Sequence, residues 1–103
     1  MSVEAVEDVT EAVRWWREAL GPGVPIVLVK ELRRAKQQLA STPWAGISIT
    51  KLPGGRRRKL SLLESRYLLF YEVDEAAQEV WVLRIWHMSR GRKPRLMVTR
   101  PSR

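Results

Sequence analysis

His87 is the only histidine in the chain, and its ordinary pKa makes it the side chain best suited to move a proton near neutrality. Cations surround it in the sequence: Arg84 and Arg90 lie close by, and Arg58 and Arg66 come earlier in the same half. A proton-transfer group among guanidinium groups is what chemistry at a phosphate needs, because the cations hold the developing negative charge. His87, Arg84 and Arg58 are therefore the catalytic candidates, against the alternative that His87 is a surface histidine with no chemical role. Other chemistries lack their parts. One histidine, no cysteine and scattered or helical carboxylates leave no metal site to expect. There is no Gly-x-x-x-x-Gly-Lys loop and no dinucleotide fingerprint, so no cofactor is expected. Glu72, Asp74, Glu75 and Glu79 cluster near one turn, which they solvate.

The net charge of +8 is placed on one side of the sequence. Residues 1–50 hold six basic and six acidic residues, whereas residues 51–103 hold thirteen and five. Such a field attracts phosphate backbones or an acidic protein surface. The binding candidates are the run Arg56-Arg57-Arg58-Lys59, then Arg66, and the run Arg90-Gly91-Arg92-Lys93 with its three cations Arg90, Arg92 and Lys93; the alternative is two solvated basic loops. No apolar run approaches the roughly 18 residues that span a bilayer, so no membrane contact is expected. The first residues carry Glu4, Glu7 and Asp8 rather than a basic head and an apolar stretch, so no secretory signal is expected. The absence of cysteine fits a reducing cytoplasm.

The elements that must position these groups follow from periodicity. Val6, Val9, Val13, Trp16 and Leu20, widened by Ala5, Ala12 and Ala19, predict an amphipathic helix over 2–20. Asp8 and Glu11 also fit a capping box, which would start the helix at Asp8 and leave residues 3–6 as an edge strand. Gly21-Pro22-Gly23 ends the element. A second helix starts near Pro25, with Leu28, Leu32, Ala35 and Leu39 as its apolar face, and Ser41-Thr42-Pro43 stops it. A short turn between them predicts an antiparallel helical hairpin. Then the period changes to two. Ile47 and Ile49 alternate with Ser48 and Thr50, Pro53-Gly54-Gly55 makes a turn, and residues 56–63, 66–73 and 79–87 read as strands. If Val73 faces Glu79, then Leu69 faces Leu83 and Leu68 faces Arg84. Tyr67, Leu69 and Tyr71 then share a helix-covered face with Trp81, Leu83 and Ile85, while Leu68, Phe70, Glu72, Val80, Val82, Arg84 and Trp86 line the other. The fold class is α+β, a helical hairpin packed on a small antiparallel β-sheet. Residues 1–95 form one domain and residues 96–103 a flexible basic tail.

Ordered motifs sharpen this. Trp15-Trp16 ends the first helix, and Glu31-Leu32-x-x-Ala35-x-x-x-Leu39 occupies the second. Pro43-x-x-Gly46 and an Arg57-Arg58 pair follow. Tyr67-x-x-x-Tyr71-x-Val73-Asp74 then precedes Val82-Leu83-x-Ile85-Trp86-His87-x-x-Arg90. Together, over roughly residues 5–95, the series resembles the RelE/ParE toxin superfamily of type II toxin–antitoxin systems, and more closely its ParE and plasmid-stabilisation branch.

The resemblance implies a cognate antitoxin whose C-terminal segment folds onto the toxin, with Trp86, Trp44 and Phe70 as candidate anchors if they are exposed. It also implies one of two targets. The RelE branch cuts messenger RNA on the ribosome without metal, and His87, Arg84 and Arg58 would then be its catalytic groups. That branch has an arginine directly after the first tyrosine of the Tyr-x-x-x-Tyr strand, where this chain has Leu68. The ParE branch inhibits DNA gyrase without chemistry of its own. Leu68 and the basic second half fit that branch at least as well, the basic runs then meeting an acidic protein surface or DNA phosphates. A third reading is an inactive member that only binds its partner.

Overall fold

The computed structural model describes residues 1–21, 26–50 and 56–98. Helix α1 spans Val3–Leu20 and α2 spans Ile26–Ser41. Four strands follow: β1 (Ile47–Ser48), β2 (Arg57–Leu62), β3 (Tyr67–Asp74) and β4 (Glu79–His87). They form one antiparallel sheet in the order β1-β2-β3-β4. The expected turns at Pro22-Gly23 and Pro53-Gly54-Gly55, and Pro25 itself, lie outside the described residues.

α1 starts at the N-cap Ser2, whose hydroxyl accepts the Ala5 N–H, and not at Asp8. Residues 3–6 are therefore helix rather than edge strand. The burial of this helix also differs from the simple valine stripe. Ala5 and Ala12 are buried with Val9 and Trp16 packed beside them, whereas Val6 is 49% exposed. The alanines let the helix axis approach β4 closely, and the valines flank the contact. α2 buries Leu28, Leu32, Ala35 and Leu39, the face that its three-four spacing predicts. Burying a leucine such as Leu28 or Leu39 contributes about 1.5–3 kcal/mol each. Both helices cover one side of the sheet, where they meet Leu62, Tyr67, Leu69, Tyr71 and Ile85.

The β3–β4 register departs from expectation. Asp74 faces Glu79 and Val73 faces Val80, because Asp74 Oδ1 accepts the Ala77 N–H and Gln78 takes a positive φ of 53°, closing the turn one residue later. A bulge between Phe70 and Tyr71 adds a second shift, so that Leu69 faces Ile85 and Leu68 faces Trp86. The consequence is an exchange of faces in β4. Val80 and Val82 join the helix side, while Leu83 and Trp81 join Phe70 and Trp86 on the outer side. That outer side is not bare: Ile49, Leu96 and Val98 pack on it. The segment expected as a flexible tail thus begins with two packed residues, and residues 99–103 lie outside the described ones.

Candidate functional site

Three polar clamps hold the scaffold. Glu31 on α2 reaches the β2–β3 turn, where its carboxylate accepts the Glu64 N–H, the Ser65 N–H (both 2.9 Å) and the Ser65 hydroxyl (2.6 Å). Burial alone would raise the pKa of this carboxyl. The three hydrogen bonds, with Arg34 nearby, outweigh it and hold the group below the usual carboxylate range. Ser2 ties α1 to β4: its N–H donates to the Val82 carbonyl (2.8 Å) and its hydroxyl to the Leu83 carbonyl (2.6 Å). Nearly two helical turns later Asp8 accepts a bidentate pair from Arg84, at 2.7 and 2.8 Å, and the Ile85 N–H at 3.0 Å. The β4 edge is therefore sealed along its middle by α1.

Arg84 is bound into this clamp. Its side chain is 19% exposed and faces an Asp8 side chain 10% exposed. The hydrogen bonds it donates to Asp8 raise its pKa further. Arg58 is engaged as well, donating from Nε to the Gly46 carbonyl (2.9 Å) and lying 5.5 Å over the Trp44 ring. Gly46 is itself pinned, its N–H donating to the Tyr71 hydroxyl at 2.8 Å.

His87 stands with other partners. Its Nδ1 accepts the Ser89 N–H at 3.1 Å and lies 2.6 Å from the Ser89 hydroxyl. A donor aimed at Nδ1 leaves the proton of the neutral ring on Nε2. Burial, then Arg66 and Arg90, push the imidazole pKa down from 6.5. Arg66 is brought there by a turn in which it takes φ 62°. Its N–H donates to Leu62 and its carbonyl accepts from Met88. The Tyr67 ring meets His87 edge-on at 4.9 Å, and burial raises the phenol pKa against the opposing pull of Arg90. The site at this end of the sheet is thus a neutral imidazole and a neutral phenol flanked by two arginines. His87 is brought together with Arg66 and Arg90, and not with Arg84 and Arg58.

The basic runs divide. Arg56 is exposed, Arg57 pairs with Glu72 at 3.5 Å, and Lys59 lines a groove of about 480 Å³ on the outer side of the sheet. Arg90, Arg92 and Lys93 line the same groove with Ile49, Leu68, Phe70 and Trp86. Trp86 and Phe70 are buried, 6% and 7% exposed, whereas Trp44 is 38% exposed. The guanidinium groups of Arg90, Arg84 and Arg92 lie 4.2, 5.2 and 5.9 Å from the Trp86 ring, and its indole N–H donates to the Arg92 carbonyl. A second cavity of about 420 Å³, between α1 and the end of β4, is lined by Trp15, Trp16, Tyr67, His87 and Arg90 together with Glu11 and Glu18. Ser2, Asp8, Glu31 and Ser89 went unread as partners. Only Ser2 had a local signal, a serine just ahead of an amphipathic run. Among the described residues no helix is long and apolar enough to cross a membrane.

Residues 1–92 match the family model described as the ParE toxin of the type II toxin–antitoxin system parDE. None of the curated proteins compared with the chain matches it. Among solved structures, a chain of the chromosomal ParDE toxin–antitoxin system from P. aeruginosa is similar, with 20% identity and a TM-score of 0.67 over 85% of this chain and 91% of that one.

Proposed function

We propose that this chain, which belongs to the ParE toxin family of type II toxin–antitoxin systems, arrests bacterial growth by binding DNA gyrase and is neutralised by a cognate antitoxin. One observation carries the choice of a binding poison over a nuclease. The groups a ribonuclease would need are spent on structure: Arg84 is locked to Asp8, Arg58 holds Gly46, and His87 uses Nδ1 to bind Ser89. The Nδ1 lone pair of His87 is engaged by the Ser89 N–H, which makes the imidazole less available as a base. A binding poison needs only surface, and Arg56, Arg66, Arg90, Arg92 and Lys93 are exposed cations. The antitoxin reading has support in the ParDE system that shares the fold. Induced expression in a bacterial host without antitoxin tests all of this, reading growth, transcript integrity and the DNA-damage response together. Arrest with intact transcripts and induced damage repair is expected. Cut transcripts would transfer the assignment to a ribosome-dependent, metal-independent mRNA endoribonuclease. No arrest from a folded protein would leave a partner-binding module without toxicity.

A further inference from the structure

Four of the five tryptophans have their rings or indole N–H groups engaged. Trp86 lies under Arg90 at 4.2 Å, Trp44 under Arg58 at 5.5 Å and Trp16 against Tyr67 at 6.0 Å, while Trp81 donates its N–H to Glu79. Trp15 is the exception. It is 58% exposed, and among the described residues no ring or cation covers it. It lines the cavity of about 420 Å³ between α1 and the end of β4. Glu11, four residues earlier, and Glu18, three later, share its helix face and line the same cavity. Both are exposed, and among the described residues neither is held in an ion pair or hydrogen bond. The cavity also holds donors. Arg90 lies over Trp86, and a guanidinium over a ring keeps its in-plane N–H groups free to donate. His87 keeps its Nε2–H, because Nδ1 takes the Ser89 N–H. Arg66 is near enough to push the imidazole pKa down together with Arg90.

We propose that this cavity binds a guanine nucleotide, free or at the end of a strand, with the base stacked on Trp15 and the phosphate held by Arg90 and His87. An open indole face suits any base, so stacking alone selects none. The carboxylates select. The Watson–Crick edge of guanine carries two adjacent N–H donors, which one carboxylate of Glu11 or Glu18 accepts together. Adenine and cytosine each set an acceptor beside a single amino group, and the one N–H of uracil lies between two carbonyls, so each turns a lone pair towards the carboxylate. The phosphate takes charge-assisted hydrogen bonds from Arg90 and from the Nε2–H of His87. A purely cationic ligand fits less well, because Arg14 and Arg90 line the same walls. Binding asks no proton transfer of His87, and it rests on nothing in the growth-arrest reading.

The test is a chemical-shift titration of the ¹⁵N-labelled full chain, reading amide and indole signals, with GMP, AMP, guanosine and a thymidine oligonucleotide that ends in a guanosine phosphate. GMP is expected to bind more tightly than AMP or guanosine and to shift the Trp15 indole and the amides of His87, Ser89 and Arg90. Trp15→Ala, at an exposed position, should weaken GMP at least about tenfold. The double variant E11Q/E18Q should bind GMP and AMP alike, and Arg90→Gln should bind GMP no better than guanosine. His87 should titrate higher with GMP bound, because a neighbouring phosphate favours the imidazolium. The proposal is overturned by AMP binding as tightly as GMP, by unchanged affinity in Trp15→Ala, by shifts confined to Leu68, Phe70 and Lys93 on the outer side of the sheet, or by no shift with any probe. Tighter binding of the oligonucleotide would assign the pocket to a strand end, and tighter binding of GMP to the free nucleotide; either result sustains it.

Discussion

Replacing Asp8 by alanine removes three hydrogen bonds at once and strands two donors. Arg84 loses its bidentate carboxylate and the Ile85 N–H loses its acceptor. Leaving a fully buried charge without its partner costs about 3–5 kcal/mol. Arg84 is 19% exposed, and it keeps a long contact to the Arg95 carbonyl and the face of Trp86. Part of its solvation is therefore restored, and the expected loss is about 2–3 kcal/mol, in line with charged hydrogen bonds. At about 4–8 °C per kcal/mol for a domain of this size, the melting temperature should fall by about 8–24 °C. Asp8→Asn retains an acceptor without the charge and should lose about half as much. The double variant D8L/R84M replaces the pair by apolar groups and should recover part of the loss, the Ile85 N–H left without its acceptor keeping it about 1–2 kcal/mol below the parent. Thermal and urea unfolding followed by circular dichroism reads all three. A loss below about 0.5 kcal/mol for Asp8→Ala, the level of an exposed pair, would refute the claim that this clamp holds α1 to the sheet.

The remaining expectations concern the other clamps and the histidine. Glu31→Gln should cost about 1–2 kcal/mol near neutral pH. Because the folded pKa of Glu31 lies below the ordinary 4.5, its stabilisation is present above that value and fades as pH falls through the folded pKa. The variant should therefore show a shallower acid limb in its urea midpoint than the parent, and an identical limb would count against the clamp. Gly46→Ala places a methyl group 2.6 Å from both the Lys59 carbonyl and the Tyr71 hydroxyl, and should destabilise by about 1–3 kcal/mol in the same assay. His87 should titrate below 6.5 by NMR and move upward in Arg90→Gln, since burial is followed by Arg66 and Arg90 as the causes of its shift. Its depressed pKa contributes stability present above pH 6.5 and lost as pH falls through the folded value. His87→Gln should leave growth arrest intact, and loss of arrest with folding preserved would favour nuclease chemistry.

α2 was legible because one face of a single helix decided it: Leu28, Leu32, Ala35 and Leu39 leave no competing period. β3 was legible for the same reason, its tyrosines and Leu69 alternating against Leu68 and Glu72. β4 was not. Val80 to Ile85 is nearly continuous in apolar residues, so its pattern does not say which parity faces the helices, and a bulge can change parity midway without exposing anything. The candidate site was harder still. Asp8 and Arg84 lie 76 residues apart, and an aspartate three residues before a glutamate reads locally as a cap. Trp86 and Phe70 read as anchors for a partner. Their burial depends on Leu96 and Val98, in a stretch with too little periodicity to announce that it packs.

The unequal edges of the sheet also bear on how many chains can assemble through it. β4 is closed by Ser2 and Asp8, and among the described residues no backbone bond covers the outer edge of β1, so strand addition there can happen once per molecule and cannot propagate. Two copies meeting edge to edge would pair β1 with β1 and leave only closed edges outward, a finite dimer. A foreign strand taken up there would block that dimer. Complexes built through the backbone are thus limited to one added strand per chain, and a fibre built by edge pairing has no second end from which to grow.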